Sequence, residues 1–291
     1  MKQSKGAYRT VQNPKMRRWL AAAFRSVQDR PMMHGLIDVD VTRPRALLRD
    51  YRAQTGESLS FTAFIISCLG RAVDENKAVQ AFRKGSRRLV LFEDVDVYTL
   101  IERDVAGQKQ PIPYIVRETN RKTLRELHDE IREAQVQDVD EALKWLQSVP
   151  DFLFRPFLWV FVRIGRSYPQ LWKRSAGTVG ITAVGMFGED AGWGIPPPLP
   201  TLMITVGGVG EKPVVIDGHI ATRDYLSLTI SLDHDIIDGA PAARFTERLR
   251  ELIQSGYGLP GATVEPAQAE RAPQQREIDA AGIEGRTGSA R

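Results

Sequence analysis

The sequence predicts an α/β domain built on a mixed sheet. Apolar residues recur at helical spacing in five separate segments, and short runs rich in Val, Ile and Thr stand between them. Toward the C-terminus strand follows strand with no helix between, as in "TLMITVGGV", "KPVVIDGHIAT" and "YLSLTISLDHD". Strands that follow one another directly call for antiparallel hairpins and argue against a doubly wound parallel sheet. With 291 residues, 42% of them hydrophobic and 26% charged, the chain is long enough to bury a substantial core and has the profile of a soluble globular protein.

The elements follow in order. Residues 16–28, "MRRWLAAAFRSVQ", place Leu20, Ala23 and Phe24 on one helical face. "MHGLIDVDV" alternates at its end and is a strand; residues 43–55 are helical. "LSFTAFIISCLGRAVDEN" is a buried helix, and "SRRLVLFEDVDVYTLIER" holds two strands around Phe92–Asp94. "PIPYIVRETN" is a strand running into a turn, and residues 121–148 form the longest helical pattern, with Leu124, Leu127 and Ile131 in phase. "GTVGITAVGMFG" is a strand and a glycine loop. Of the three following strands the middle one turns tightly at Asp217–Gly218, while "GGVGEKPVV" begins as a strand end. "APAARFTERLRELIQSG" is the last helix, and the polar tail from about Pro260 to Arg291 is expected to be disordered.

Composition excludes several classes. The net charge of +4 is too small to imply nucleic acid, although residues 1–30 carry eight cations against Asp29 alone, and Arg155, Arg163, Arg166, Lys173 and Arg174 form a second cluster. The single cysteine, Cys68, allows no disulfide framework and is expected to be a buried small hydrophobe. No apolar run reaches the ~20 residues of a membrane span, and "MKQSKGAYRT" lacks the apolar core of a signal peptide, so the expected location is cytoplasmic. The remaining histidines, His34, His128 and His219, have no metal-ligand spacing, and no metal is expected. His128 is expected on the surface of its helix, and His34 lies near the first strand.

Chemistry concentrates in "SLDHDIIDGA", Ser231–Ala240. A neutral imidazole is the common general base near pH 7, and His234 sits where a buried strand meets a loop that can fix its ring. Asp238 is near enough to anchor that loop, and Gly239 is expected to supply a backbone conformation closed to other residues. Spacing alone leaves an ordinary loop histidine as the alternative.

The stretch "SLTISLDHDIIDGAPAARF" closely resembles the end of the catalytic domain of the dihydrolipoamide acyltransferases, the core components of 2-oxo acid dehydrogenase complexes. "GTVGITAVGMFG", "PKMRRWLAAAFRSVQDRP", "GLIDVDVTRPRALL" and "QPIPYIVRETNRKTLRELHDEI" resemble further segments of that family in the same order, over roughly residues 8–258. The resemblance implies a chloramphenicol acetyltransferase-like two-layer sandwich, a mixed β-sheet with helices on one side, occupying residues 1–259 ahead of the 260–291 tail. It implies transfer of an acyl group between coenzyme A, as co-substrate, and a thiol such as dihydrolipoamide. His234 is then the general base, Thr182 the hydroxyl that meets the tetrahedral oxyanion, and Asp238 a structural acid bridged to Arg17, with Arg18 next. It also implies a homotrimer with the active site between subunits, and leaves open whether trimers build a larger assembly.

Three features depart from the family. Asp235 stands where arginine usually follows the histidine, which puts an acid beside the base. The sequence holds no lipoyl domain, so a lipoyl group would arrive on another protein. Residues 152–174, "FLFRPFLWVFVRIGRSYPQLWKR", are an apolar and basic insertion within about 150–174. It fits an interfacial membrane element, a lid for a long acyl chain, or an enlarged subunit interface or packed core. The competing functional reading is a non-catalytic trimeric scaffold that binds a membrane or partner through this insertion.

Overall fold

The computed structural model describes residues 30–85, 87–105, 108–137, 167–183, 191–197 and 199–262, with scattered positions among 9–25 and 150–165. The order is β1 (Met32–Asp40), α1 (Thr42–Thr55), α2 (Phe61–Glu75), a 3₁₀ turn (Lys77–Gln80), β2 (Phe82–Lys84), β3 (Arg88–Val90), β4 (Val97–Val105) and β5 (Gln108–Val116). Then come α3 (Leu124–Val136), α4 (Pro169–Ala176), β6 (Val179–Ala183), β7 (Leu202–Ile216), β8 (His219–Asp233) and α5 (Gly239–Ser255). Residues 17, 18, 21, 22 and 25 are helical. The predicted tail from 263 on, and positions 138–149 of the long helical pattern, lie outside the described residues.

Six strands form one mixed sheet in the order β1-β8-β7-β6-β4-β5. β6 runs parallel to β7 and to β4, and the other pairs are antiparallel. β2 and β3 pair separately as a small hairpin. The sheet has two chemically different faces because side chains alternate along each strand. Val179, Ile181, Leu202, Ile204, Leu228, Ile230 and Leu232 point into a core shared with α2, α3 and α5. The expected two-layer arrangement, helices on one side, follows from this alternation.

Local chemistry sets the boundaries. Ser60 caps α2 by accepting from the Ala63 N–H, and Thr123 with Glu126 forms a capping box on α3. At Gly177 (φ 70°) a β-carbon would lie 2.7 Å from the Asp96 carbonyl oxygen, so the entry to β6 admits only glycine without a shift. The β7–β8 turn has positive φ at both Asp217 (50°) and Gly218 (79°), the pattern of a tight two-residue hairpin.

Three expectations change. The separate strands of 201–235 are two continuous 15-residue strands. The glycines of "GGVGEKPVV" do not end β7; they mark a register shift between Val206 and Val209, where the ladder absorbs an irregularity and continues. His128 is buried, not on the surface: its Nδ1 accepts the Ser60 N–H at 2.9 Å, so it joins α3 to the start of α2. The short β2–β3 hairpin adds a strand ahead of Arg87 that the pattern of apolar residues does not reveal.

The described end of the insertion is packed. Trp172 of α4 meets Phe82, with ring centroids 6.0 Å apart, in a small cluster that also contains Phe92. Lys173 Nζ bonds Asp94 at 3.1 Å, and Arg117 donates to the carbonyls of Lys173 and Arg174 at the helix end. Trp172 thus anchors residues 169–176 to the domain, while Gln170, Arg174 and Ser175 of the same helix are exposed. Residues 151–155, 157–159, 161–163 and 166, on which the lid and membrane readings rest, lie outside the described residues; among the described residues no helix is long and apolar enough to cross a membrane.

Candidate active site

β8 delivers the site. Leu226, Leu228, Ile230 and Leu232 enter the helix-side core, while Ser227, Thr229, Ser231 and Asp233 line the opposite face, all buried. Asp233, 4% exposed, organises the turn that follows. Its N–H donates to the Thr201 carbonyl (2.9 Å), and its own carbonyl accepts from Ile236 and Ile237 (3.1 and 3.0 Å). Its Oδ1 accepts the Asp235 N–H at 3.0 Å, the side chain closing its own loop two residues on. Its Oδ2 lies 3.9 Å from Arg30 Nε.

His234 is held by its backbone: the N–H donates to the Pro31 carbonyl at 2.8 Å. Its side chain is exposed. Asp235 does not turn back on it. Its Oδ2 receives Arg83 Nη1 at 2.6 Å, a contact across 152 residues of sequence. Ile237, 4% exposed, plugs the loop into the core. Three successive residues are therefore fixed, each from a different segment, and the imidazole is left free to meet a ligand.

Asp238 precedes α5, where its carbonyl accepts the Ala242 N–H (3.1 Å), but its side chain is exposed and caps nothing. Arg17 and Arg18 are exposed as well, and among the described residues no ion pair joins Arg17 to Asp238. Gly239 differs from expectation. It is the first residue of α5, without positive φ, and a β-carbon there would meet nothing within 4 Å, so no backbone demand within one chain requires glycine. The acid that shapes the histidine loop is Asp233. The signal available in the sequence was its position, two residues before a loop amide, where aspartate closes a turn on itself.

Thr182 lies on β6, in register with Thr205 of β7 and, through it, Thr229 of β8. Registered partners share a face, so three threonines cross the sheet on the side away from the helices. Thr182 is half-buried, while the hydroxyls of Thr205 and Thr229 are buried without a hydrogen-bond partner. On the same face His34 of β1, itself exposed, lies opposite Ser231, with Nδ1 2.8 Å from its Oγ. His234 stands five residues beyond Thr229 and two strands from Thr182, roughly 19 Å away at ordinary strand spacings. One chain therefore does not bring the candidate base and the candidate hydroxyl together. Among the described residues no three His, Cys, Asp or Glu side chains gather as a metal site would need.

Residues 173–259 match the model of the 2-oxoacid dehydrogenases acyltransferase (catalytic domain) family. The lipoamide acyltransferase component of the Bacillus subtilis branched-chain alpha-keto acid dehydrogenase complex is 23% identical over 236 residues, 79% of this chain and 48% of that protein. The dihydrolipoyllysine-residue acetyltransferase component of the Zymomonas mobilis pyruvate dehydrogenase complex is 33% identical over 97 residues, 33% of this chain and 22% of that protein. The chain spans about half the length, or less, of these curated relatives. Among solved structures, a probable dihydrolipoamide acetyltransferase of Listeria monocytogenes superposes with a TM-score of 0.62 at 21% identity, covering 86% of this chain and 95% of that one. The dihydrolipoamide acetyltransferase of Azotobacter vinelandii gives 0.63 at 20%, covering 86% and 93%. Residues 173–259, from within α4 to just past α5 and with the histidine loop inside, are thus similar in sequence to the 2-oxoacid dehydrogenases acyltransferase (catalytic domain) family, and the fold is similar to those of the solved dihydrolipoamide acetyltransferases.

Proposed function

We propose that this protein is an acyltransferase that moves an acyl group between coenzyme A and a thiol acceptor such as dihydrolipoamide. The observation that carries the reading is the histidine loop: an exposed imidazole on a backbone pinned at Asp233, His234 and Asp235. His234 takes the proton of the attacking thiol as the sulfur closes on the thioester carbonyl. Thr182 donates its hydroxyl to the oxyanion of the tetrahedral intermediate, where charge develops and a donor has most effect. Collapse expels the leaving thiolate, which recovers the proton from the imidazolium.

Reacting groups must lie within about 3–3.5 Å of the atoms they serve. A backbone separation of roughly 19 Å within one chain, at ordinary strand spacings, argues against both residues serving one site in a monomer. In this reading the site is completed between copies, His234 from one and Thr182 from the next, in a homotrimer or a larger assembly built from it. A cytoplasmic location is part of the same proposal.

The test is release of coenzyme A from acetyl-, propionyl- and longer acyl-coenzyme A with dihydrolipoamide as acceptor. His234→Ala should lose about 10²-fold or more, and Thr182→Val a comparable factor. Co-assembling the two inactive variants should restore part of the activity, because some interfaces then contain both intact residues. Failure to restore it would rule out the shared site. No turnover with any donor, together with no coenzyme A binding, would leave the fold serving as a trimeric scaffold.

A further inference from the structure

The β2–β3 hairpin lies more than 140 residues upstream of the histidine loop, yet it reaches the residue beside the candidate base. Arg83 Nη1 bonds Asp235 Oδ2 at 2.6 Å. The hairpin that carries Arg83 is itself anchored. Phe82 packs against Phe92 and Trp172, with ring centroids 6.5 and 6.0 Å away. The Thr201 hydroxyl donates to the Ala81 carbonyl at 2.6 Å, and the Thr201 carbonyl receives the Asp233 N–H. Backbone and side chain thus tie the start of β2 to both flanks of His234.

From this juxtaposition we infer that Arg83 is a positioning residue for His234, acting through Asp235; the inference rests on the acyl-transfer reading of the same loop. An acid next to an exposed imidazole has two options. It can lie away from the ring, held by a cation, or it can swing to the ring nitrogen and take the orientation that a substrate thiol requires. Arg83 enforces the first. Its guanidinium is a fixed fork suited to a carboxylate, and it comes from an element braced by aromatic packing. Both partners are about half exposed, with side chains 53% and 40% accessible. The pair accordingly contributes little to global stability, and its effect is on where the loop and its acid rest. Asp233, on the other side of His234, is similarly occupied by Arg30 at 3.9 Å and by the Asp235 N–H. The base is flanked by two acids, and each is engaged by a contact from elsewhere in the chain.

The experiment compares Arg83→Ala, Asp235→Ala, the double alanine variant and the exchange Arg83→Asp/Asp235→Arg with wild type and His234→Ala. Turnover, KM for the acyl-coenzyme A and thermal melting are measured. Imidazole ¹H–¹⁵N signals are recorded in parallel; the chain has four histidines, so the signal lost in His234→Ala is assigned directly. Arg83→Ala should lower kcat roughly 10-fold, the scale of a modest misplacement of a reacting group, with KM and melting nearly unchanged and the His234 signals shifted. Asp235→Ala should cost less, because it removes the competitor for the ring together with the tether. The double variant should match Asp235→Ala, and the exchange should recover most of kcat. Unchanged kcat and unchanged His234 signals in Arg83→Ala would overturn the inference. So would additive losses in the double variant, or an exchange no better than Arg83→Ala. A wild type without turnover would defeat the acyl-transfer reading instead, while the imidazole signals would still decide whether Arg83 orients His234.

Discussion

Replacing Asp233 by alanine should damage stability and chemistry together. The carboxylate is 4% exposed and accepts the Asp235 N–H at 3.0 Å, an ionised acceptor on a backbone donor. Bonds of that kind contribute about 1.5–3 kcal/mol. The Arg30 contact at 3.9 Å adds little, because Arg30 keeps its bond to the Leu199 carbonyl at 3.1 Å. A loss of about 1.5–3 kcal/mol follows, which for a domain of this size lowers the melting temperature by about 3–12 °C. Asp233→Asn keeps an acceptor but not the charge, and should lose about half as much. Because the same bond closes the turn beyond His234, coenzyme A release by Asp233→Ala should fall by up to ~10²-fold, the penalty of moving a reacting group by about 1 Å. Differential scanning calorimetry and the release assay at one temperature, below both melting points, measure the two effects separately. An Asp233→Ala protein that melts with wild type and turns over normally would refute the assignment of the loop to Asp233.

Arg117 donates to Asp96 Oδ2 at 2.7 Å and to the last carbonyls of α4, while the Asp96 side chain is 4% exposed. Arg117→Ala removes the cation from that carboxylate but leaves its bond from the Glu118 N–H at 3.0 Å, and with Arg117 40% exposed it should cost about 1.5–3 kcal/mol in denaturant titration. Burial, aided by Arg132, lowers the His128 pKa from its ordinary value of 6.5. The unfolded chain therefore binds the proton more readily, so the stability that neutral His128 supplies is intact above about pH 6.5 and is lost as pH falls below it. The drop in denaturation midpoint between pH 7 and pH 5 should shrink in His128→Gln. Thr205→Val removes a buried hydroxyl that has no partner and keeps its shape, so it should leave stability unchanged or raise it by up to about 1 kcal/mol; a clear loss in denaturant titration would mean that the hydroxyl is satisfied in solution.

The order of elements was legible in the sequence because it rests on local physics. Period-two apolar runs made β6, β7 and β8 visible, helical spacing showed α2, α3 and α5, and Asp217–Gly218 announced its turn. The same local information led astray at Gly207 and Gly208, where two glycines looked like a strand end. Pairing with β8 resumes on the far side of them at Val209, and the Gly208 N–H donates to the Gly192 carbonyl at 3.3 Å, partners that no residue in the run encodes. His128 was misjudged for a similar reason: its helix is amphipathic, but only packing of α3 against α2 brings the Ser60 amide to its ring.

By itself the sequence left His234 as a general base or an ordinary loop histidine, and only its resemblance to the dihydrolipoamide acyltransferases pointed to acyl transfer and to Thr182. The sequence did determine the fold class, through alternation and helical periodicity. The tertiary structure decided which residues hold the histidine. Asp233, Arg30, Pro31, Arg83 and Thr201 come from four separate stretches of chain, and their meeting depends on strand order and register, to which sequence distance is blind. Strand order and register also keep His234 and Thr182 apart, by roughly 19 Å at ordinary strand spacings. Four strand residues, the step into the turn at His234 and two interstrand gaps separate them, and backbone hydrogen bonds fix the strand spacings.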